Sequence, residues 1–129
     1  MQPSVLVIDD DIAMTEMMKI ILEPKAFGVN IAFTGASGIE AARNLDPDVI
    51  ILDLCMPEMD GEQVCKAIRE FSQVPILILS AMNKPGLITR TLDGGADDYL
   101  FKPVPSGTLI AHLNNLIRRG RAKRKASTP

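Results

Sequence analysis

The stretch "DVIILDLCMPEMDG" at residues 48–61 decides the fold, because it joins a buried strand to a polar turn. Its apolar run is short and nearly continuous, which is typical of a strand in a parallel sheet that is covered on both faces. The run ends at Asp53, although a carboxylate is costly to place near a low-dielectric interior. Met-Pro and Asp-Gly pairs then predict a turn. Asp53 is open to four interpretations here: chance, a helix cap, a metal ligand or a nucleophile.

The same alternation of short apolar runs and amphipathic segments extends in both directions. Strands are predicted at 4–8, 29–33, 48–52, 74–79 and 98–101, and helices at 9–23, 37–45, 61–71, 84–93 and 106–119. Strands that alternate with helices favour right-handed crossovers around a parallel sheet. The sequence therefore predicts an α/β fold: a doubly wound, five-stranded parallel sheet with five helices.

Three helix starts carry capping signals. We interpret Asp11 as the cap of the first helix, Ser37 with Glu40 as a capping box, and Asp60 with Gln63 as another. No helix starts near Asp53, so capping does not explain that carboxylate.

Length and composition predict one soluble globular domain. The chain has 129 residues, with 47% apolar and 23% charged residues, and it has no apolar stretch long enough to span a membrane. No leader precedes the first strand, and two cysteines form no disulfide framework, so we expect a protein of the reducing cytoplasm.

Charge is distributed unevenly along the chain. Residues 118–129 contain six of the 14 basic residues and no acidic one, so residues 1–117 carry eight basic against 16 acidic residues, a formal charge of −8. We expect a domain over residues 1–119 whose acidic body does not bind nucleic acid directly. Residues 120–129, "GRAKRKASTP", are predicted to be a basic linker or disordered tail, and the linker interpretation favours a following effector domain.

Chemically active side chains follow four of the five predicted strands. In an open α/β sheet such residues meet at the carboxyl edge, where ligands bind. They are Asp9 and Asp10 after the first strand, Asp53 after the third, Ser80 after the fourth and Lys102 after the fifth.

This set of residues predicts phosphoryl transfer to an aspartate. Grouped carboxylates repel one another unless a cation holds them, and oxygen ligands suit Mg²⁺. Lys102 and Ser80 suit phosphoryl oxygens, which makes Asp53 the reacting group. No glycine-rich phosphate loop is present, so the phosphoryl group must come from outside. His112 is the only histidine and lies off the apolar stripe of its helix, so we expect it to be solvated.

Four motifs occur in a fixed order: "VLVIDDD" (5–11), "DVIILDLCMPEMDG" (48–61), "PILILSA" (75–81) and "GGADDYLFKP" (94–103). Together they resemble the receiver domains of response regulators in two-component signalling, over residues 4–119. The resemblance implies a flavodoxin-like fold with strand order 2-1-3-4-5.

The resemblance also implies a function and a set of site residues. Asp53 would take a phosphoryl group from a phosphohistidine of a sensor histidine kinase or phosphotransfer protein, and the domain would catalyse only its own phosphorylation and dephosphorylation. Asp9, Asp10, Asp53 and the backbone carbonyl of Cys55 would hold Mg²⁺. Lys102 would contact the phosphoryl group, ahead of a cis Lys102–Pro103 bond.

A conformational switch is part of the same resemblance. Ser80 would hydrogen-bond the phosphoryl group, and Tyr99 would turn inward. The fourth helix, fifth strand and last helix would then form the output face that controls an effector or partner, with a transcriptional regulator as the expected kind. The resemblance allows a homodimer through this face and implies no contact with a membrane.

Two positions depart from the usual receiver pattern near Asp53. Cys55 and Met82 stand where receiver side chains flank the hydrolysing water, and neither orients water well. We therefore predict a long-lived phosphoryl state.

Charges on the output face also depart from the pattern. Cross-subunit ion pairs could use Arg90, Asp97, Asp98, Arg118 and Arg119, yet the last helix has no acidic residue. A full ion-pair network between two copies is therefore in doubt.

Two alternative functions stay open. An aspartyl-nucleophile phosphatase of the haloacid-dehalogenase type would need a second aspartate where Cys55 stands. A pseudo-receiver would act as a binding module without phosphorylation.

Overall fold

Short apolar runs form five parallel strands in one sheet, in the order β2-β1-β3-β4-β5. The computed structural model describes the backbone of residues 2–127 and the side chains of residues 2–123. The predicted doubly wound fold and its strand order are confirmed. The strands are β1 (Ser4–Ile8), β2 (Gly28–Ala32), β3 (Val49–Leu52), β4 (Ile76–Ser80) and β5 (Asp98–Phe101), and the helices are α1 (Ile12–Leu22), α2 (Gly35–Leu45), α3 (Gly61–Arg69), α4 (Pro85–Asp93) and α5 (Ser106–Ser127), with a 3₁₀ turn at Glu23–Lys25.

Two hydrophobic layers cover the two faces of the sheet. Along β1, Leu6 and Ile8 belong to the layer that includes side chains of α3, whereas Val5 and Val7 belong to the layer that includes side chains of α1 and α5. All four residues are buried. Because successive strand residues point to opposite faces, a strand covered on both sides must be apolar throughout.

The register of the sheet brings the functional residues together. In the β1–β3 pair, Ile8 lies opposite Leu52, so Asp9 and Asp53 follow their strands at the same level. In the β4–β5 pair, Ser80 lies opposite Phe101, the residue before Lys102. The carboxyl edge of the sheet is therefore where the predicted site forms.

Helix caps follow the sequence prediction at two of three starts. The Asp11 side chain accepts from the N–H of Met14 at 3.2 Å, and Asp60 accepts from that of Gln63 at 3.0 Å. The prediction at Ser37 was wrong. Thr34 caps α2, and Ser37 is its partner in the capping box, so the helix starts earlier than predicted.

The last helix is longer than the sequence predicts. It reaches Ser127 instead of ending at residue 119, so residues 120–127 continue the helix, and their role as a linker stays a prediction. Tertiary contacts support the extra turns: a Cβ at Gly120 would lie 2.9 Å from Cγ of Pro75, and Nη2 of Arg121 lies 3.5 Å from Oδ2 of Asp48. Residues 128 and 129 lie outside the described part of the chain. The domain boundary at residue 119 stays a prediction.

Candidate functional site

Asp53 lies directly after β3 and is buried, with 7% of its surface exposed. Its backbone N–H donates to the Ile8 carbonyl at 3.0 Å, which ties the ends of β3 and β1 together. The loop after Asp53 folds back towards the end of β3, because the N–H of Gly61 donates to the Leu54 carbonyl at 3.0 Å. A Cβ at Gly61 would lie 2.7 Å from the backbone oxygen of Asp53, so only glycine fits there without a shift. The backbone is therefore fixed on both sides of Asp53.

The end of β1 contributes two more carboxylates. Asp9 is buried, whereas Asp10 is exposed, and carboxylate oxygens of Asp9, Asp10 and Asp53 lie within 4.8 Å of one another. Oδ1 of Asp9 accepts from the N–H of Asp11 at 3.0 Å, which orients that carboxylate. The structure thus brings together the three side chains that the sequence assigns to a metal.

Lys102 connects the ends of β1, β3 and β5. Its Nζ donates to Oδ2 of Asp9 at 3.2 Å and lies 3.8 Å from Oδ1 of Asp53. The Lys102–Pro103 peptide bond is cis, as the resemblance implies. One ammonium therefore lies against two of the three carboxylates, in a position to meet a negatively charged group beside them.

Burial raises the pKa of the Asp53 carboxyl above its ordinary value, and Asp9 and Asp10 shift it in the same direction. The charge of Lys102 and a hydrogen bond from the backbone N–H of Cys55 act against this rise. Since the carboxylate is the nucleophilic form, the site favours a further cation close to Asp53.

The donor set fits Mg²⁺. Three carboxylates at this spacing offer only hard oxygen ligands, and one of them is exposed at the mouth of the site. Hard oxygen donors with room for water are what this ion prefers. A role for the Cys55 carbonyl as an additional ligand stays a prediction.

The two predicted switch residues meet at the loop after β4. Ser80 is fully buried, and its Oγ accepts from the N–H of Met82 at 3.2 Å. The hydroxyl of Tyr99 donates to the Met82 carbonyl at 2.7 Å, and burial raises the pKa of this phenol. Ser80 and Tyr99 therefore contact the same short segment from neighbouring strands.

A cavity of about 690 Å³ opens beside this segment. Cys55 and Met82, the two residues that depart from the receiver pattern, both line it. Apolar and charged side chains complete the wall: Leu54, Met56, Leu87, Asp60, Glu62, Lys84 and Arg90, together with Gly86.

Sequence reasoning missed two ion pairs that fix α3 to its neighbours. Arg90 of α4 contacts Glu62 through Nε at 2.7 Å and Nη2 at 3.2 Å, and this hydrogen bond lowers the pKa of Glu62. Arg69 contacts Asp97 at 2.9 Å. Each pair joins residues 28 positions apart, so no local pattern marks it.

His112 was expected to be solvated, and this expectation was wrong in part. Its side chain is 37% exposed, but Nδ1 lies 2.5 Å from Oδ2 of Asp98 on β5. The other carboxylate oxygen of Asp98 accepts from the N–H of Tyr99 at 2.9 Å. The histidine therefore ties α5 to the strand that carries Tyr99.

Comparisons with a family model, with relatives and with solved structures all indicate the same family. The sequence matches the response regulator receiver domain family over residues 5–114. It is 37% identical over 119 residues to the DNA-binding response regulator MtrA of Mycolicibacterium paratuberculosis, covering 92% of this chain and 53% of the relative. It is 38% identical over 118 residues to the transcriptional regulatory protein AfsQ1 of Streptomyces coelicolor, covering 92% of this chain and 52% of that relative. The chain thus spans about half the length of these relatives.

A solved structure is similar over nearly its whole length. The receiver domain of the Francisella response regulator 1452 superposes with a TM-score of 0.85 at 34% identity, covering 91% of this chain and 98% of that one. Over the described residues, no helix has the length and apolarity of a membrane span.

Proposed function

Because the chain belongs to the response regulator receiver domain family, we propose that Asp53 accepts a phosphoryl group from a phosphohistidine in a Mg²⁺-dependent reaction. The donor is a sensor histidine kinase or a phosphotransfer protein in the cytoplasm. A carboxylate oxygen of Asp53 bonds to phosphorus while the phosphorus–nitrogen bond breaks, and the imidazole leaves with the electron pair and takes up a proton. The chain is a signalling protein and not a metabolic enzyme.

One observation carries the proposal. Asp53 is a buried carboxylate with an ammonium at 3.8 Å and two further carboxylates within 4.8 Å. Asp9 is buried in the same cluster, but both of its oxygens already accept hydrogen bonds, from the N–H of Asp11 and from Lys102. Lys102 would meet the negative charge of the incoming phosphoryl group, and Ser80 would donate a hydrogen bond to it. Mg²⁺, held by Asp9, Asp10 and Asp53, would neutralise charge on the phosphoryl oxygens.

Phosphorylation then changes the output face, which we define as α4, β5 and α5. The Oγ of Ser80 accepts from the N–H of Met82, so a rotation that turns the hydroxyl towards the phosphoryl group displaces this acceptor and alters its contact with the segment at Met82. Tyr99 holds that segment through its hydroxyl and follows it. A charge added at Asp53 thereby shifts a two-state element on the output face, which acts on an effector domain, a DNA-binding one in the relatives, or on a second copy of the chain.

Intact-mass spectrometry tests the proposal. The protein is incubated with Mg²⁺ and a small acyl phosphate, beside Asp53→Asn, a sample with chelator, and Asp11→Asn as a matched control that removes a neighbouring carboxylate outside the site. We expect one added phosphoryl group on the natural chain and on Asp11→Asn, and none in the other two samples. No added mass from either the acyl phosphate or a phosphorylated histidine kinase would favour the pseudo-receiver. Continuous turnover of the donor with no stable adduct would favour the aspartyl phosphatase.

A further inference from the structure

We propose that the basic extension, which we define as residues 118–125 of α5, binds the phosphate backbone of duplex DNA. Its sequence is "RRGRAKRK", with six basic residues and no acidic one. The proposal concerns a surface outside the phosphoacceptor site, and it holds or fails independently of phosphoryl transfer.

The backbone of the basic extension forms part of one helix. Backbone helix runs through all of residues 118–125, so eight positions occupy about 10 Å of helix axis. Where side chains are described, the basic ones are all exposed: Arg118, Arg119, Arg121 and Lys123. Duplex DNA carries one negative charge per about 1.7 Å of its axis, so several phosphates lie within reach of such a helix.

The first residues of the basic extension pack against the rest of the domain. Gly120 packs on Pro75, and Arg121 lies 3.5 Å from Asp48, at the starts of β4 and β3. These residues lie at the amino edge of the sheet, whereas Asp53 follows β3 at its carboxyl edge. A duplex bound to the basic extension would therefore leave the phosphoacceptor site open.

Charge and composition favour DNA over a lipid surface. Ala122 is the one apolar side chain in the basic extension, so the segment lacks the apolar face that an interfacial helix inserts into lipid. The rest of the chain carries a formal charge of −8 over residues 1–117, which repels DNA. Contact between the chain and the duplex is thereby confined to the basic extension. This contact involves only the DNA phosphates, and the bases are not recognised.

Fluorescence anisotropy of a short labelled duplex of arbitrary sequence tests the proposal. The natural chain is compared with the triple variant Arg118→Gln, Arg119→Gln, Lys123→Gln, which leaves Arg121 in place. The matched control removes three exposed lysines elsewhere and changes the net charge equally.

The expected result is selective loss of binding. In the extension variant, affinity falls at least about tenfold at about 50 mM salt, and the slope of log K against log salt becomes less steep by up to about 3. The control, with Lys25→Gln, Lys66→Gln and Lys84→Gln, keeps the natural affinity and slope. Thermal unfolding of all three proteins verifies that they are folded.

Three results would overturn the proposal. The first is an absence of duplex binding by the natural chain at low salt, and the second is equal loss in both variants. The third is a different partner for the extension. Tighter binding to vesicles of anionic lipid would assign it to membranes, and salt-sensitive self-association that the extension variant loses would assign it to the acidic body of a second copy.

Discussion

Replacing Cys55 with asparagine and Met82 with glutamate is expected to shorten the lifetime of the phosphoryl group on Asp53. Both residues line one cavity, Cys55 two positions after Asp53 and Met82 two positions after Ser80, and neither sulfur accepts a strong hydrogen bond. An amide or carboxylate at these positions can hold the water that attacks phosphorus. We expect the natural pair to leave that water unoriented and hydrolysis to be slow.

The magnitude follows from the hydrogen bonds that the variants add. A hydrogen bond contributes about 0.5–1.5 kcal/mol net, and about 1.5–3 kcal/mol when one partner is charged. Only the part that is stronger in the transition state lowers the barrier. A gain of about 1.4 kcal/mol for each residue corresponds to about tenfold in rate. Because Cys55 and Met82 share one cavity, the effects of the two substitutions on the rate are not independent. The double variant is therefore expected to lose the phosphoryl group about 10- to 100-fold faster than the natural chain.

The assay follows the phosphorylated fraction by intact mass after the donor is removed and Mg²⁺ is kept constant. Cys55→Ala and Met82→Leu form the matched control, because they remove the sulfur atoms without adding an acceptor. This control is expected to keep the natural rate. If the natural chain loses the phosphoryl group as fast as the double variant, or if the control accelerates hydrolysis equally, the reasoning about water orientation is refuted.

Further predictions concern stability. Arg69→Ala removes hydrogen bonds to the Val74 carbonyl at 2.7 Å and to Asp97 at 2.9 Å, so urea denaturation is expected to give a free energy of unfolding lower by about 3 kcal/mol. Arg69→Lys should recover part of this free energy. A decrease below about 0.5 kcal/mol in Arg69→Ala would contradict a stabilising role for these hydrogen bonds. Glu58 has a φ of 69°, so Glu58→Gly is expected to raise the free energy of unfolding by up to about 1 kcal/mol while Glu58→Ala does not. The raised pKa of Asp53 means that its charged form is disfavoured in the folded state, so Asp53→Asn in chelator is expected to raise the melting temperature at neutral pH. This difference should vanish as the pH falls below the ordinary value of 3.8 and shrink when Mg²⁺ is added, and an unchanged melting temperature would contradict it.

The sequence predicts those parts of the fold that depend on local pattern. Apolar runs such as the one before Asp53 predict strands because both faces of the sheet are covered. Asp11 and Asp60 predict helix starts because a cap depends on atoms only three residues away. The gathering of Asp9, Asp53 and Lys102 follows from one topological rule, that parallel strands share a carboxyl edge.

Features that depend on distant contacts could not be predicted in this way. The end of α5 was placed too early, because its last turns are polar and their support comes from Pro75 and Asp48, far away in the sequence. His112 was expected in solvent, because nothing in its own helix indicates that Asp98 lies opposite. The spacing of apolar residues predicts which side of a helix is buried. It does not predict which polar side chains of other elements contact the edge of that buried side.

The ion pairs within the chain bear on how two copies could meet through the output face. Arg90, Asp97 and Asp98 were candidates for cross-subunit pairing, yet each has a partner inside the chain. Using them between subunits would exchange one ion pair for another, and exposed ion pairs contribute only about 0–1 kcal/mol each. If two copies pair through this face, we therefore expect these three residues to add little net affinity and apolar contact to add more, since Leu92 and Phe101 are 39% and 42% exposed. The charges would then act mainly on specificity, because a partner that broke the intrachain pairs without replacing them would leave carboxylates unpaired.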